Sequence, residues 1–146
     1  MKHLTTEEIE QRARRGKELF SKGFNCSQAV FAACADLYEI DEKTALRVSA
    51  SFGGGIGRMR QTCGTACGMF LLAGLENGNT EPDKPEAKLA NYKLVQRLAE
   101  RFKEENGDII CAKLLGLQGE PPKQKRSCPE MVAQAIRIYL TETQDK

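Results

Sequence analysis

Six cysteines stand in a chain of 146 residues that holds a single histidine, and this combination narrows the available chemistry before any fold is considered. Cysteine thiolates are soft metal ligands and good nucleophiles, so they bind iron, zinc or copper and exchange with disulfides. The lone imidazole, His3, lies near the start of the chain. Ser-His-Asp triads, Cys-His protease pairs and histidine-bound zinc hydrolases therefore lack a placed base or ligand.

Local context divides the six cysteines into two groups. Cys26 follows Asn25, with Gln28 three residues after that Asn; Cys63 follows Thr62; Cys128 follows Ser127 and precedes Pro129 and Glu130; Cys111 falls three residues after Asp108. Asn, Thr, Ser and Asp are helix N-cap residues, so these four cysteines are predicted in the first turns of four different helices. Unpaired amides and the positive end of the helix dipole favour a thiolate there, against a reference thiol pKa of about 8.5. Successive members are 37, 48 and 17 residues apart, which matches no compact ferredoxin or zinc-finger spacing, so only tertiary structure can gather them.

Cys34 and Cys67 are expected inside helices. Cys34 shares a face with Val30 and Leu37 and reads as a small buried hydrophobe. Cys67 lies one turn beyond Cys63 and is open to three roles: a resolving thiol, an auxiliary ligand or a packing residue. Gly64 and Gly68, also one turn apart, would allow close backbone approach on the thiol side of that helix.

Gly53-Gly54-Gly55-Ile56-Gly57-Arg58-Met59-Arg60 could cradle an anion, but it has no Lys-Ser/Thr continuation, preceding strand or dinucleotide fingerprint. It is expected to be a close helix crossing or a mobile flap over the Cys63 helix, bringing Arg58 or Arg60 toward the thiols. Glu7, Glu8, Asp83 and Glu86 read as dipole partners or solvated charge, and no carboxylate pair suggests acid-base catalysis. Lys123-Gln124-Lys125-Arg126 reads as a solvent-facing loop.

Helical periodicity runs through the elements that must hold these residues. Segments of period near 3.6 cover Thr6 to Phe20, Cys26 to Leu37, Lys43 to Ala50, Cys63 to Leu75, Glu86 to Glu105, Asp108 to Leu115 and Cys128 to Leu140. The longest is expected to bury Leu89, Tyr92, Val95, Leu98, Ala99 and Phe102; the basic residues Arg12, Arg14, Arg15 and Lys17 should lie on the solvated side of the first. Strand-like alternation is absent, so the expected fold is all-α, a compact multi-helix bundle or array of about six or seven helices in one domain spanning 1–146.

Composition adds mainly exclusions. Lys and Arg total 22 against 20 Asp and Glu, and the net charge of +2 provides no field that would select nucleic acid or an acidic membrane. The best apolar run, Met69 to Leu75, falls far short of the roughly 20 residues of a membrane span. The start, Met1-Lys2-His3-Leu4-Thr5-Thr6-Glu7-Glu8, is polar and acidic rather than a secretory leader, so a cytoplasmic location is expected.

Gly23-Phe24-Asn25-Cys26-Ser27-Gln28-Ala29-Val30, the Phe52 to Gly57 segment, Cys63-Gly64-Thr65-Ala66-Cys67-Gly68, Cys111 and Cys128 together resemble a family of redox-active proteins named for a Cys, Cys-Gly-Ala-x-x-Gly, Cys, Cys pattern. Thr65 departs from the alanine of that pattern, and Cys67 is an additional thiol within it. The resemblance implies a redox function, an iron-sulfur prosthetic group and association with oxidoreductases or transporters. It puts the four family cysteines on Cys26, Cys63, Cys111 and Cys128.

The leading expectation is that these four hold an iron-sulfur cluster or another thiophilic metal for electron transfer or redox sensing, with Gly64, Gly68 and Arg58 beside it. An isolated recombinant chain would fold without the cluster. Cofactor-free thiol-disulfide exchange is the second expectation, one first-turn cysteine attacking and a neighbour resolving, with Cys63 and Cys67 as candidate reacting residues and a distant cysteine as the alternative partner of Cys63. The third is a non-catalytic accessory protein, for which exposed helix faces could support a homodimer.

Overall fold

The structure is a computed structural model and describes residues 3–144. Met1 and Lys2 of the polar start, and the last two residues of the expected domain, lie outside the described residues. The chain forms α1 (Thr6–Ser21), α2 (Cys26–Cys34), α3 (Glu42–Ser49), α4 (Gly64–Asn77), α5 (Pro85–Asn106), α6 (Cys111–Leu115) and α7 (Cys128–Glu142). There is no sheet among the described residues; Thr62 and Ile110 make an isolated antiparallel bridge. The all-α expectation and the helix number hold.

α2 lies at the centre, packed against α1, α3, α4 and α7, while α1 runs along α7 and α5 covers α4. Alanines allow this crowding: Ala29, Ala33, Ala66, Ala73, Ala133 and Ala135 are all buried, around larger residues such as Leu72, Phe102, Ile136 and Tyr139. A Cβ on Gly68 would come within 2.8 Å of the Val30 Cβ, so this glycine sets the α2–α4 separation. Among the described residues, no helix is long and apolar enough to cross a membrane.

The expected second helix stops early. α2 ends at Cys34 and passes into a 3₁₀ turn, Ala35–Tyr38, which Glu39 closes in the left-handed conformation. The basic face of α1 is less solvated than its sequence suggests: Arg12 holds both Asp36 carboxylate oxygens and the Ala33 carbonyl, Arg15 reaches Glu42 and Lys17 reaches Glu130. Leu89 and Tyr92 of α5 are also misplaced by periodicity. They are 57% and 53% exposed, whereas Leu94, Leu98 and Phe102 carry the buried stripe.

The start of α2 follows its sequence signal. The Asn25 side chain accepts the Gln28 amide at 2.9 Å and the Gln28 side chain accepts the Asn25 amide at 3.0 Å, a complete capping box. Asn25 also donates to the Ala50 carbonyl, tying this start to the end of α3. Asn25→Ala is expected to lower unfolding stability by about 1 kcal/mol, read as a shift in the urea midpoint with an unchanged slope.

Candidate thiol centre

Cys26, Cys63, Cys111 and Cys128 line one cavity of about 90 Å³. Cys26, Cys111 and Cys128 are the first residues of α2, α6 and α7, and Cys63 is the N-cap of α4. Cys63 and Cys111 are buried, while Cys26 and Cys128 are partly exposed at the mouth. All six cysteines are free thiols.

Three of the four caps differ from their sequence signals. Thr62 does not cap α4, because it is paired with Ile110 in the bridge and the Cys63 amide donates to the Ile109 carbonyl at 2.6 Å. Asp108 does not cap α6; its carboxylate accepts the Ile109 and Ile110 amides, and the Cys111 and Ala112 amides are satisfied by the carbonyls of Gln61 and Arg60. Ser127 stands at the cap of α7 without a side-chain bond, and Glu130, its expected partner, is taken by Lys17. The glycine-rich segment thus supplies backbone acceptors that a local cap would otherwise provide.

That segment is a left-handed turn. Gly54, Gly55, Ile56, Gly57 and Arg58 have φ between 56° and 73°, and Arg60 has φ 63°. Such values strain Ile56, Arg58 and Arg60 by about 1–2 kcal/mol each, and a ladder of amides from Ile56 to Gln61 onto the carbonyls of 51–56 holds them there. Gly55 presses on the site: a Cβ there would stand 2.7 Å from the Cys111 Cβ. Gly64 similarly lies beneath the Phe52 carbonyl and lines the cavity.

The sequence-derived candidates separate accordingly. The four helix-start cysteines and Gly64 come together; Arg58, Cys67 and Gly68 do not line the cavity. Arg58 is exposed on the outer side of the turn, and the inward arginine is Arg60, whose guanidinium stands 3.6 Å from the Cys111 sulfur. Cys67 faces the Thr62 carbonyl at 3.7 Å, and burial together with the nearby Cys63 charge pushes its thiol up to about 11. Cys34 is fully buried in the core, where burial pushes its thiol up to about 12.

Gln124 is a site residue that sequence reasoning missed, and Thr65, noted there only as a departure from the motif, also lines the cavity. Gln124 turns inward from the polar loop, with its amide nitrogen 3.8 Å from the Cys128 sulfur and 2.7 Å from the Arg126 carbonyl. Arg126 fixes that loop by gripping the Glu105 carbonyl and carboxylate and the Asn106 side chain. The buried Thr65 hydroxyl has no complete hydrogen bond; it lies beside the Cys26 and Cys63 sulfurs and favours their ionised forms. Against that pull, burial keeps the Cys63 thiol high.

Cys26 and Cys128 share a proton unequally. The Cys26 thiol donates toward the Cys128 sulfur, which pulls Cys128 down to about 6, helped by Gln124 and opposed by burial. The same hydrogen bond, reinforced by burial, pushes Cys26 well above the ordinary thiol range. The first proton lost from this pair leaves one negative charge on it, and Cys128 is the member held lower. Iodoacetamide labelling of Cys128 is expected to rise through about pH 6 and level off above about pH 7, with Cys34 and Cys67 unlabelled over that range by peptide mass analysis.

The donors also bear on metal binding. Four soft sulfurs and no carboxylate or imidazole line the cavity, a set that suits a thiophilic group. Among the described residues, no three His, Cys, Asp or Glu side chains are arranged to hold a single ion.

Fold and cavity define a class: helical proteins whose helix starts bring cysteines from distant parts of the chain to one thiol centre. Residues 24–141 match the family described as "Putative redox-active protein (C_GCAxxG_C_C)", and the chain belongs to that family. A protein of Archaeoglobus fulgidus, recorded as an uncharacterized protein, is 28% identical over 148 residues, covering 96% of this chain and 98% of its own length. No solved structure matches the chain.

Proposed function

We infer that the thiol centre is a two-electron redox site in which Cys128 and Cys26 react with disulfides. The observation that carries this reading is that Cys26 and Cys128, the two partly exposed thiols, open α2 and α7 and line the same cavity; membership of a redox-active family supports it. The Cys128 thiolate attacks one sulfur of a substrate disulfide, forming a mixed disulfide and expelling the first thiolate. Cys26 then gives up its proton and attacks the Cys128 sulfur, closing a Cys26–Cys128 disulfide and expelling the second thiolate. Two electrons pass from protein to substrate, and the Cys26 proton leaves with product or solvent. A partner oxidoreductase returns the pair to the dithiol, in a reducing compartment that keeps the remaining thiols free.

Oxidation by one equivalent of dithiodipyridine under argon, followed by peptide mapping, tests this reading. A Cys26–Cys128 bond is expected; a Cys63–Cys67 bond, or no protein disulfide, overturns it.

A second reading is favoured by Cys63 and Cys111, which the exchange reaction does not use but which line the same cavity. In it, all four cysteines hold an iron-sulfur or other thiophilic group, with Arg60 offsetting negative charge. When bound, that group supplies single-electron transfer. Stoichiometric iron and acid-labile sulfide in anaerobically purified protein, lost in Cys63→Ser, are the expected result of this reading; metal-free protein after reconstitution removes it.

A further inference from the structure

We propose that the thiol centre selects anionic disulfides and that Arg60 is the residue that selects them. The inference deepens the exchange reading and rests on it. Among the described residues, Arg60 is the sole Lys, Arg, Asp or Glu side chain lining the cavity. Its guanidinium stands 3.6 Å from the Cys111 sulfur and, among the described residues, makes no ion pair to an acid. Most other arginines in the structure are committed: Arg12, Arg14, Arg15, Arg97, Arg101, Arg126 and Arg137 all pair with carboxylates.

The backbone gives a second, independent reason. Arg60 sits at φ 63°, an unfavourable conformation for a side chain with a Cβ. The chain holds it there from both sides: its amide donates to the Gly54 carbonyl at 3.3 Å, and its carbonyl accepts the Ala112 amide at 3.2 Å. A glycine would meet the backbone demand without strain, yet the position carries a guanidinium turned into the cavity. Strain held by an over-determined backbone in the wall of a thiol-lined cavity is a mark of a functional position.

The rim adds to the same field. Arg58, Lys113, Lys123 and Lys125 are exposed on the turn, on α6 and on the loop that brings in Gln124, and these three strips are joined by the Ala112–Arg60, Lys123–Lys113 and Gln124–Leu114 backbone bonds. Asp108 offsets part of this charge through Lys123 at 3.5 Å. A disulfide carrying carboxylates would meet positive charge at the rim and a guanidinium inside the cavity, 3.6 Å from the Cys111 sulfur. Attack by the Cys128 thiolate, release of the first carboxylate-bearing thiolate and closure by Cys26 then proceed as in the exchange reaction.

The test compares three disulfides of similar size: dithiodipropionate, which is anionic; hydroxyethyl disulfide, which is neutral; and cystamine, which is cationic. Each rate of Cys26–Cys128 oxidation is divided by the rate of the same disulfide with dithiothreitol at the same pH. The anionic-to-cationic ratio is expected to be on the order of tenfold at low salt and to shrink with ionic strength. In Arg60→Gln it should fall toward unity, in Arg60→Lys it should remain well above unity, and in Arg47→Gln, an exposed position on α3 outside the cavity lining, it should stay close to the starting value. A general loss of reactivity cancels in this ratio. Equal normalised rates in the unmodified protein overturn the selectivity, and an unchanged ratio in Arg60→Gln overturns the assignment to Arg60. Failure of all three disulfides to form the Cys26–Cys128 bond overturns the exchange reading itself.

Discussion

Cys128→Ser is expected to slow dithiodipyridine reduction by about two orders of magnitude or more, because a hydroxyl replaces the one thiolate that the site stabilises near neutral pH. The measurement is thiopyridone release under pseudo-first-order conditions. Cys26→Ser should behave differently: attack by Cys128 continues, resolution fails, and the protein accumulates as a mixed disulfide carrying one thiopyridyl group. Loss of the Cys26 hydrogen bond should also move the Cys128 labelling profile toward higher pH, since that bond is the largest cause of its lowered value. Cys34→Ser should leave the rate unchanged, its thiol being buried in the core away from the cavity. If Cys128→Ser and the unmodified protein release thiopyridone at equal rates, another thiol is the nucleophile.

Gly55→Ala is expected to be the most damaging single methyl in the glycine-rich turn. Gly55 has φ 73°, and an added Cβ would lie 2.7 Å from the Cys111 Cβ and 2.8 Å from both the Arg60 Cα and the Gln61 amide nitrogen. Two of these neighbours are backbone, so relief requires the turn itself to move. The left-handed penalty of about 1–2 kcal/mol adds to an overpacking penalty of about 1–3 kcal/mol. A loss on the order of 3 kcal/mol in unfolding free energy is therefore expected, together with displacement of α6. Gly23→Ala is the control: its φ is also positive, at 107°, but a Cβ there meets nothing within 4 Å. It should show the conformational penalty alone.

The parts of the site encoded by short-range signals were legible in the sequence. Asn25 and Gln28 form the capping box that their spacing implies, and a residue that follows an N-cap must begin a helix wherever the rest of the chain goes. The same reasoning put the four thiols at helix starts and kept Cys34 in the core. It misassigned the caps at Thr62 and Asp108 because the bridge between Thr62 and Ile110 joins segments far apart in sequence, and no local pattern specifies that pairing.

Arg58 and Arg60 show a second limit. Both follow the same glycines, and only the left-handed path of the turn decides which faces the cavity and which faces water. Gln124 was concealed by its charged neighbours, although Arg126, fastened to the end of α5, turns that loop inward. Leu89 and Tyr92 obey the helical period of α5 yet remain exposed, because periodicity identifies a face without showing how far along the helix its neighbours extend.

Cys26 opens α2 and Cys128 opens α7, so roughly 100 residues of chain lie between the two sulfurs. In an unfolded chain such ends would meet rarely; the native packing of α2 on α7 gives them a high effective concentration. By the loop-entropy relation, a bond closing roughly 100 residues stabilises the fold by about 4.7 kcal/mol at 25 °C. Reciprocity then requires that folding favour the bond by the same amount, equivalent to about 100 mV in a two-electron couple. The reducing power of the pair is thus set in part by how tightly two distant helices are held together, and whatever loosens α7 from α2 makes the couple more oxidising without touching a sulfur.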